Sequence, residues 1–306
     1  MPEVPQEGGN ARCAVACGVA GWAYPDWEGY VYPRGTRDKL RYIAGYVDCI
    51  EVNSTFYRPP EARTVSSWVA RTADLSSFFF TAKLHQDITH KGLMEAATVT
   101  AFQKGLEPAV RAGRLRHLLA QFRYDFADSP DSRRHIEMIS DAFGGMANLV
   151  VEVRHISWQS PEALEFLRDA GVTVANLDYP MARNSFDMRT RGVGRDAYLR
   201  LHGRNAAAWF SKGAGRDETY NYLYSSAEVD GLVARVRDLA AMSATLTVIA
   251  NNHYQGKEAV NALEIKARLT GRPLAVPQLL KERYTRLEAV EGPGQAVAKG
   301  GLNLPT

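Results

Sequence analysis

The run Asn148-Leu149-Val150-Val151-Glu152-Val153-Arg154 decides the fold. An apolar stretch leads into two charged residues separated by one valine. In an extended chain residues i and i+2 share a face, so Glu152 and Arg154 emerge on the same side at the C-terminal end of a short strand. The same design recurs in Glu51 and Asn53, Lys83 and His85, Gln121 and Arg123, Asn176 and Asp178, Arg200 and His202, and Asn251 and His253. Mainly apolar residues precede each pair. One such pair is ordinary; seven in phase point to strand ends that converge.

Working outward, strands are expected near Ala14–Ala20, Asp48–Asn53, Phe78–His85, Arg116–Arg123, Asn148–Arg154, Val172–Asp178, Ala197–His202 and Thr245–Asn251. Stretches with helical spacing lie between most of them: Asp38–Tyr46 after Thr36 as a cap, Glu61–Thr72, Glu95–Ala112, Ser132–Phe143, Pro161–Ala170, Ala227–Met242 and Gly256–Thr270. Ser160 before Pro161 is a helix start, and Gly171 a stop. Eight strands separated by helices, without a Pro/Ser-rich linker, predict one α/β domain. An open doubly wound sheet would carry a glycine fingerprint after its first strand, and Gly18-Val19-Ala20-Gly21-Trp22 lacks that spacing. The expectation is a single-domain (β/α)8 TIM-type barrel over 13–290, with tails at 1–12 and 291–306. Tyr179–Asp196 and Gly203–Ser225 read as long insertions, making the sixth and seventh units irregular.

Composition sets the remaining bounds. The 306 residues are 45% hydrophobic and 23% charged, which excludes a disordered, collagen-like or coiled-coil chain. Lys plus Arg number 37 against 34 Asp plus Glu, a formal charge of +3 that permits an anionic partner but argues against broad duplex binding. The Arg111–Arg116 cluster reads as a solvated helix end. Three cysteines, Cys13, Cys17 and Cys49, make no disulfide framework and fit a reducing compartment. The acidic, turn-rich stretch Met1–Gly9 is not expected to act as a signal peptide, and no apolar run approaches the roughly 18 residues of a membrane span. A cytoplasmic protein with no membrane partner is expected.

In a TIM-type barrel the C-terminal strand ends form one mouth where active sites are built. Facing inward, the seven pairs would supply acid/base candidates Glu51, Glu152, Asp178, His85 and His202. Asn53, Lys83, Gln121, Arg123, Arg154, Asn176, Arg200, Asn251, Asn252 and His253 would bind substrate. The plainer alternative is a self-neutralising ion-pair lattice in the barrel centre. Aromatic loops flank the mouth: Trp22 and Tyr24 open a segment with five rings between Trp22 and Pro33, Tyr57 and Arg58 follow the second strand, and Trp158 follows the fifth. Such rings stack sugars or bases, or else pack as a lid. Asp87-Ile88-Thr89-His90 reads either as part of the site or as a capping turn. Gly203-Arg204 and Gly256-Lys257 sit where barrels bind phosphate.

Gly21-Trp22 and Tyr24, Glu51-Val52-Asn53-Ser54-Thr55-Phe56-Tyr57-Arg58, Lys83, Thr89-His90, Glu152-Val153-Arg154, Arg200-Leu201-His202-Gly203 and Asn251-Asn252-His253 together resemble the YecE-like family. This is the bacterial group classed as domain of unknown function 72, and the match runs from about Cys17 to about Leu269. The resemblance implies a TIM-type barrel and no specific activity. It also implies kinship with xylose-isomerase-like and endonuclease-IV-like barrels, and hence a nucleic-acid partner as an alternative.

Three functions compete. The favoured one is an enzyme acting by acid/base chemistry on a small anionic substrate, phosphorylated or sugar-containing, of hydrolase or lyase type and without a cofactor. The second is a metal-dependent phosphodiesterase. Glu51, His85, Glu152, Asp178, His202 and His253 have ligand chemistry for Zn or Mn, but four cations would sit among them and no HxxE or HxH spacing falls on the strands. The third is a non-catalytic nucleotide or nucleic-acid binder.

Overall fold

The computed structural model describes residues 13–187 and 192–291. Eight strands follow one another along the chain: β1 (Ala14–Val19), β2 (Cys49–Val52), β3 (Phe79–Lys83), β4 (Leu115–Gln121), β5 (Asn148–Glu152), β6 (Thr173–Asp178), β7 (Ala197–Leu201) and β8 (Thr245–Ala250). Every neighbouring pair is parallel, and β1 pairs with both β2 and β8, so the sheet closes into a barrel in sequence order. Closure removes the exposed edges that an open sheet would have to protect. The expected strands are all present, and the polar pairs fall within the last three strand residues or just beyond them.

The seven expected helices are present, and five short ones are added to them. They are α1 (Lys39–Ala44), α2 (Ala62–Arg71), α3 (Gln86–Thr89), α4 (Ala96–Arg111), α5 (Pro130–Phe143), α6 (Pro161–Asp169), α7 (Ala206–Trp209), α8 (Arg216–Thr219), α9 (Ser226–Ala240), α10 (Lys257–Thr270), α11 (Gln278–Arg283) and α12 (Glu288–Glu291). Ser160 caps α6 by accepting from Ala163 N–H at 3.1 Å, and Ser225 and Glu228 form a reciprocal capping box on α9. The cap of α1 is Asp38 rather than Thr36: its carboxylate accepts from Arg41 N–H at 2.8 Å. Among the described residues no helix joins β6 to β7, and α7 and α8 occupy the insertion after β7. The sixth and seventh units are therefore irregular, as expected. The expected tails 1–12 and 292–306 lie outside the described residues, while Glu291, assigned to a tail, ends α12.

Two apolar layers meet on the sheet. Phe80, Leu118, Val151 and Val174 point outward into the helices, whereas Ala16, Cys49, Phe79, Leu119, Val150, Ala175, Leu177, Tyr198 and Ile249 fill the barrel. The lower barrel also holds a neutral polar group that the sequence pattern did not predict. His117 Nε2 lies 3.0 Å from Thr247 Oγ1, and Asn148 Nδ2 bridges His117 Nδ1 and Thr173 Oγ1 at 3.1 Å each. Burial, reinforced by Arg116, pushes the His117 pKa down to about 3, so the imidazole is neutral. No helix among the described residues is long and apolar enough to cross a membrane.

Candidate functional site

Above this layer the strand ends assemble an ion-pair lattice. Arg200, 1% exposed, projects inward from β7 and meets both glutamates. Its Nη2 and Nε lie 2.6 and 3.1 Å from Glu51 Oε1 and Oε2, and its Nη1 lies 2.5 Å from Glu152 Oε2. Arg154 donates from Nε and Nη2 to Glu152 Oε1 at 2.9 and 2.7 Å. Tyr198 donates to Glu51 Oε2 at 2.9 Å, and Arg200 Nη1 reaches Gln121 Oε1 at 3.2 Å. Two buried anions and two cations cancel, which is what makes so much buried charge tolerable. Burial pushes the Glu152 carboxyl up, but Arg200 and then Arg154 outweigh it and hold the carboxyl well below its ordinary range. It stays ionised and cannot serve as an acid near neutrality.

His202 sits beside the lattice and is buried under Tyr179, Trp209 and Tyr220. Its Nδ1 accepts from Asn251 Nδ2 at 3.0 Å, and its Nε2 faces Glu152 Oε1 at 3.5 Å. Burial outweighs the glutamate and pushes its pKa down to about 4. The imidazole is neutral at pH 7.

A cavity of about 350 Å³ opens above the lattice. Its floor holds Asn53, Lys83, Gln121, Arg200, Asn251 and His253, and its walls include Trp22, Tyr24, Phe56, Tyr57, Tyr220 and Arg216. Such a volume suits a metabolite-sized molecule, and the walls combine ring faces with amides and cations. Tyr24 stacks on His253 with centroids 4.5 Å apart, and its hydroxyl donates to the Ala20 carbonyl. His253 Nε2 lies 3.4 Å from Asp217 Oδ1, and burial lowers its pKa.

Lys83 differs from Arg200, the other cation of the floor. Among the described residues its Nζ meets no hydrogen-bond acceptor and no carboxylate partner; it lies 3.8 Å from the centre of the Phe56 ring. Burial, followed by the nearby positive charge of Arg200, pushes its pKa down to about 7. A substantial fraction of the amine is therefore unprotonated at neutral pH.

Several expected site residues lie elsewhere. Asn176 and Asp178 face outward, because β6 turns Ala175, Leu177 and Tyr179 into the barrel. Asp178 anchors Arg204 at 2.9 and 2.7 Å and accepts from Tyr224 at 2.8 Å, while Asn176 accepts from Arg235 of α9. His85 caps α3 by accepting from Asp87 N–H at 3.2 Å, so the turn after β3 is a capping turn. Trp158 is fully buried between Phe126 and Phe166 on the helix side of the sheet. Asn252 donates to Tyr222 O and Asn261 Oδ1, away from the mouth. Arg58 is exposed, and Arg123 is an exposed partner of Asp125. The five rings of the first loop divide: Trp27 and Tyr32 are core, Tyr30 packs against it, and Trp22 and Tyr24 face the cavity.

The expected phosphate loop is already occupied by protein. Arg204 pairs with Asp178 and Glu228, Gly203 N–H donates to Tyr224 Oη at 3.0 Å, and Lys257 contacts Asn221. Arg114 of the Arg111–Arg116 cluster holds the carbonyls of Ala73, Leu75 and Phe78. Among the described residues no group of three or more His, Cys, Asp or Glu side chains converges as a metal-binding set. Sequence reasoning missed Arg216 and Tyr220, which the insertion after β7 brings over the mouth, and it did not assign Phe56. Phe56 was legible as an aromatic residue beside a strand end; α8 carried no comparable signal.

Residues 16–283 match the family described as "Protein of unknown function DUF72". The UPF0759 protein YunF of Bacillus subtilis (strain 168) is 25% identical over 268 residues, covering 82% of this chain and 93% of YunF. The crystal structure of a DUF72 family protein from Thermotoga maritima MSB8 superposes with a TM-score of 0.74 at 32% identity, covering 84% of this chain and 99% of that one. A DUF72 family protein from Enterococcus faecalis V583 gives 0.74 at 22% identity, covering 84% and 95%.

Proposed function

This chain belongs to the DUF72 family of proteins of unknown function, and from that premise we propose that it is an enzyme acting on a small anionic, sugar-sized substrate held in the mouth cavity. The observation that carries this reading is the Lys83 amine, which has no acceptor or carboxylate among the described residues, in a cavity whose other buried charges are already neutralised. A charged group without a partner in a concave, partly apolar site is poised for a ligand rather than for stability. Lys83 and Arg216 would bind the anion. Asn53, Gln121 and Asn251 would meet hydroxyls, and the ring faces of Tyr24, Phe56 and Tyr220 would cover the less polar side of the substrate.

Acid/base work falls to His253 and Lys83, which line the cavity and have lowered pKa values. Glu51 and Glu152 take a positioning role in this reading, fixing Arg200 beneath the substrate. The test is ligand-observed NMR with a panel of sugar phosphates, sugar acids and neutral sugars, followed over time for turnover. The expected result is binding and conversion of an anion-bearing member, with affinity reduced about tenfold or more in Lys83→Met and in Arg216→Ala. Binding of neutral sugars alone, or binding unchanged in both variants, would overturn the reading.

A further inference from the structure

We propose that Lys83 is a nucleophile that forms an imine with a carbonyl compound carrying an anionic group. The proposal rests on the cavity reading above and names its substrate class. Four features of the structure support it. Among the described residues Nζ, in the cavity lining, meets no acceptor and no carboxylate, so no such partner must be broken before it attacks. The face of Phe56 lies 3.8 Å from it, a contact that orients the amine without occupying its lone pair. Burial, and then the nearby Arg200, disfavour the ammonium form more than Glu152 and Glu51 favour it, the same pressure that desolvation and a neighbouring cation exert on known amine nucleophiles. Finally, the glutamates that would re-protonate or pair with the lysine are held by those arginines instead.

The step balances without a further reactant. The Nζ lone pair attacks the carbonyl carbon, the C–N bond forms, and the carbonyl π pair moves to oxygen to give a carbinolamine after proton transfer from nitrogen to oxygen. The nitrogen then loses its second proton, the C–O bond breaks, and the oxygen leaves as water, so amine plus carbonyl give imine plus one water. Uptake of one solvent proton makes the iminium, an electron sink for bond cleavage at the adjacent carbon. His253 lines the same cavity and is neutral enough to relay these protons, and Arg216 is placed to hold the anionic group.

The experiment is reductive trapping of the full chain with pyruvate, and separately with dihydroxyacetone phosphate, in the presence of borohydride, read by peptide mass spectrometry. The Lys83 peptide should carry the reduced adduct, at least about tenfold faster at pH 7 than exposed lysines such as Lys104 and Lys212. Lys83→Met and Lys83→Arg should lose that adduct while keeping the melting temperature of the parent protein. Labelling of Lys83 no faster than that of the exposed lysines would overturn the proposal. Ligand-observed NMR on the same samples separates the two readings. Probe binding without the adduct leaves the cavity reading standing and removes the imine; no binding of either probe removes the imine and the oxo-anion substrate together.

Discussion

Arg200 on β7 reaches across the barrel axis to Glu51 on β2, with two of its nitrogens 2.6 and 3.1 Å from the two carboxylate oxygens. The same guanidinium holds Glu152, so one side chain neutralises parts of two buried anions. Arg200→Met should therefore destabilise the protein by about 3–5 kcal/mol, because it strands charges that water cannot reach. Combining it with Glu51→Gln and Glu152→Gln should recover part of that loss, the remainder coming from Arg154, which is left without its Glu152 partner. Urea denaturation of the single and triple variants checks both statements; a triple variant no more stable than the single one would contradict them.

Two buried neutral histidines make the fold acid-sensitive. His117 and His202 have pKa values of about 3 and about 4 in the folded chain, below the ordinary value of 6.5. The unfolded chain takes up protons first as pH falls below about 6.5, so stability drops from there toward pH 4. The slope approaches about 1.4 kcal/mol per pH unit for each histidine. Replacing His117 by Gln should flatten this decline. A melting-temperature profile from pH 7 to pH 4 that is identical in the variant and the parent would show that His117 does not contribute.

Glu258 of α10 sits at the opposite end of the pH scale. It is fully buried beneath the first strand end, where one oxygen accepts from Ala20 N–H at 3.3 Å. Burial raises its pKa well above the ordinary value of 4.5, so the folded chain keeps it protonated. The unfolded chain releases that proton above about pH 4.5, and stability is progressively lost as pH rises from there to the folded pKa. Glu258→Gln should match the parent protein at pH 4 and exceed it at pH 8. Chemical denaturation at the two pH values decides; a variant that is weaker at pH 8 refutes the account.

Gly105 tests packing against helix propensity. In an exposed helix Gly→Ala gains about 1 kcal/mol. Here α4 crosses the segment before α2 so closely that an added Cβ would overlap the Pro60 carbonyl oxygen. Gly105→Ala should instead cost about 1–3 kcal/mol, since backbone cannot step aside as a side chain can. The sign of the change in denaturation midpoint is the readout.

The barrel and most strand ends were legible because alternation within a strand is a local property. Glu152 and Arg154 share a face wherever β5 lies, and the repetition of that pattern implied a common mouth. Phase is the part that local pattern leaves open. Asn176 and Asp178 alternate as cleanly as Glu51 and Asn53, yet β6 turns them outward to hold Arg204, Arg235 and Tyr224. Only the distant partners in the insertion and α9 explain that choice. His85, Trp158 and Asn252 were misplaced for a related reason: a polar or aromatic residue one step past a strand can finish a turn or fill the helix layer. Arg216 and Tyr220 were illegible because four-residue helices carry no periodicity.

The cancelled charges beneath the cavity have a consequence for whatever enters it. Two glutamates and two arginines act as electrical ballast, so the interior voltage of the chamber is set by Arg216 and by Lys83, whose amine changes charge near pH 7. A carbonyl compound that reacts with that nitrogen would first displace the proton from the charged fraction of the amine, and its departure would let the proton return. Occupancy of the chamber would then be coupled to proton traffic with the surroundings, and calorimetry in buffers of different ionisation heat would register that exchange directly.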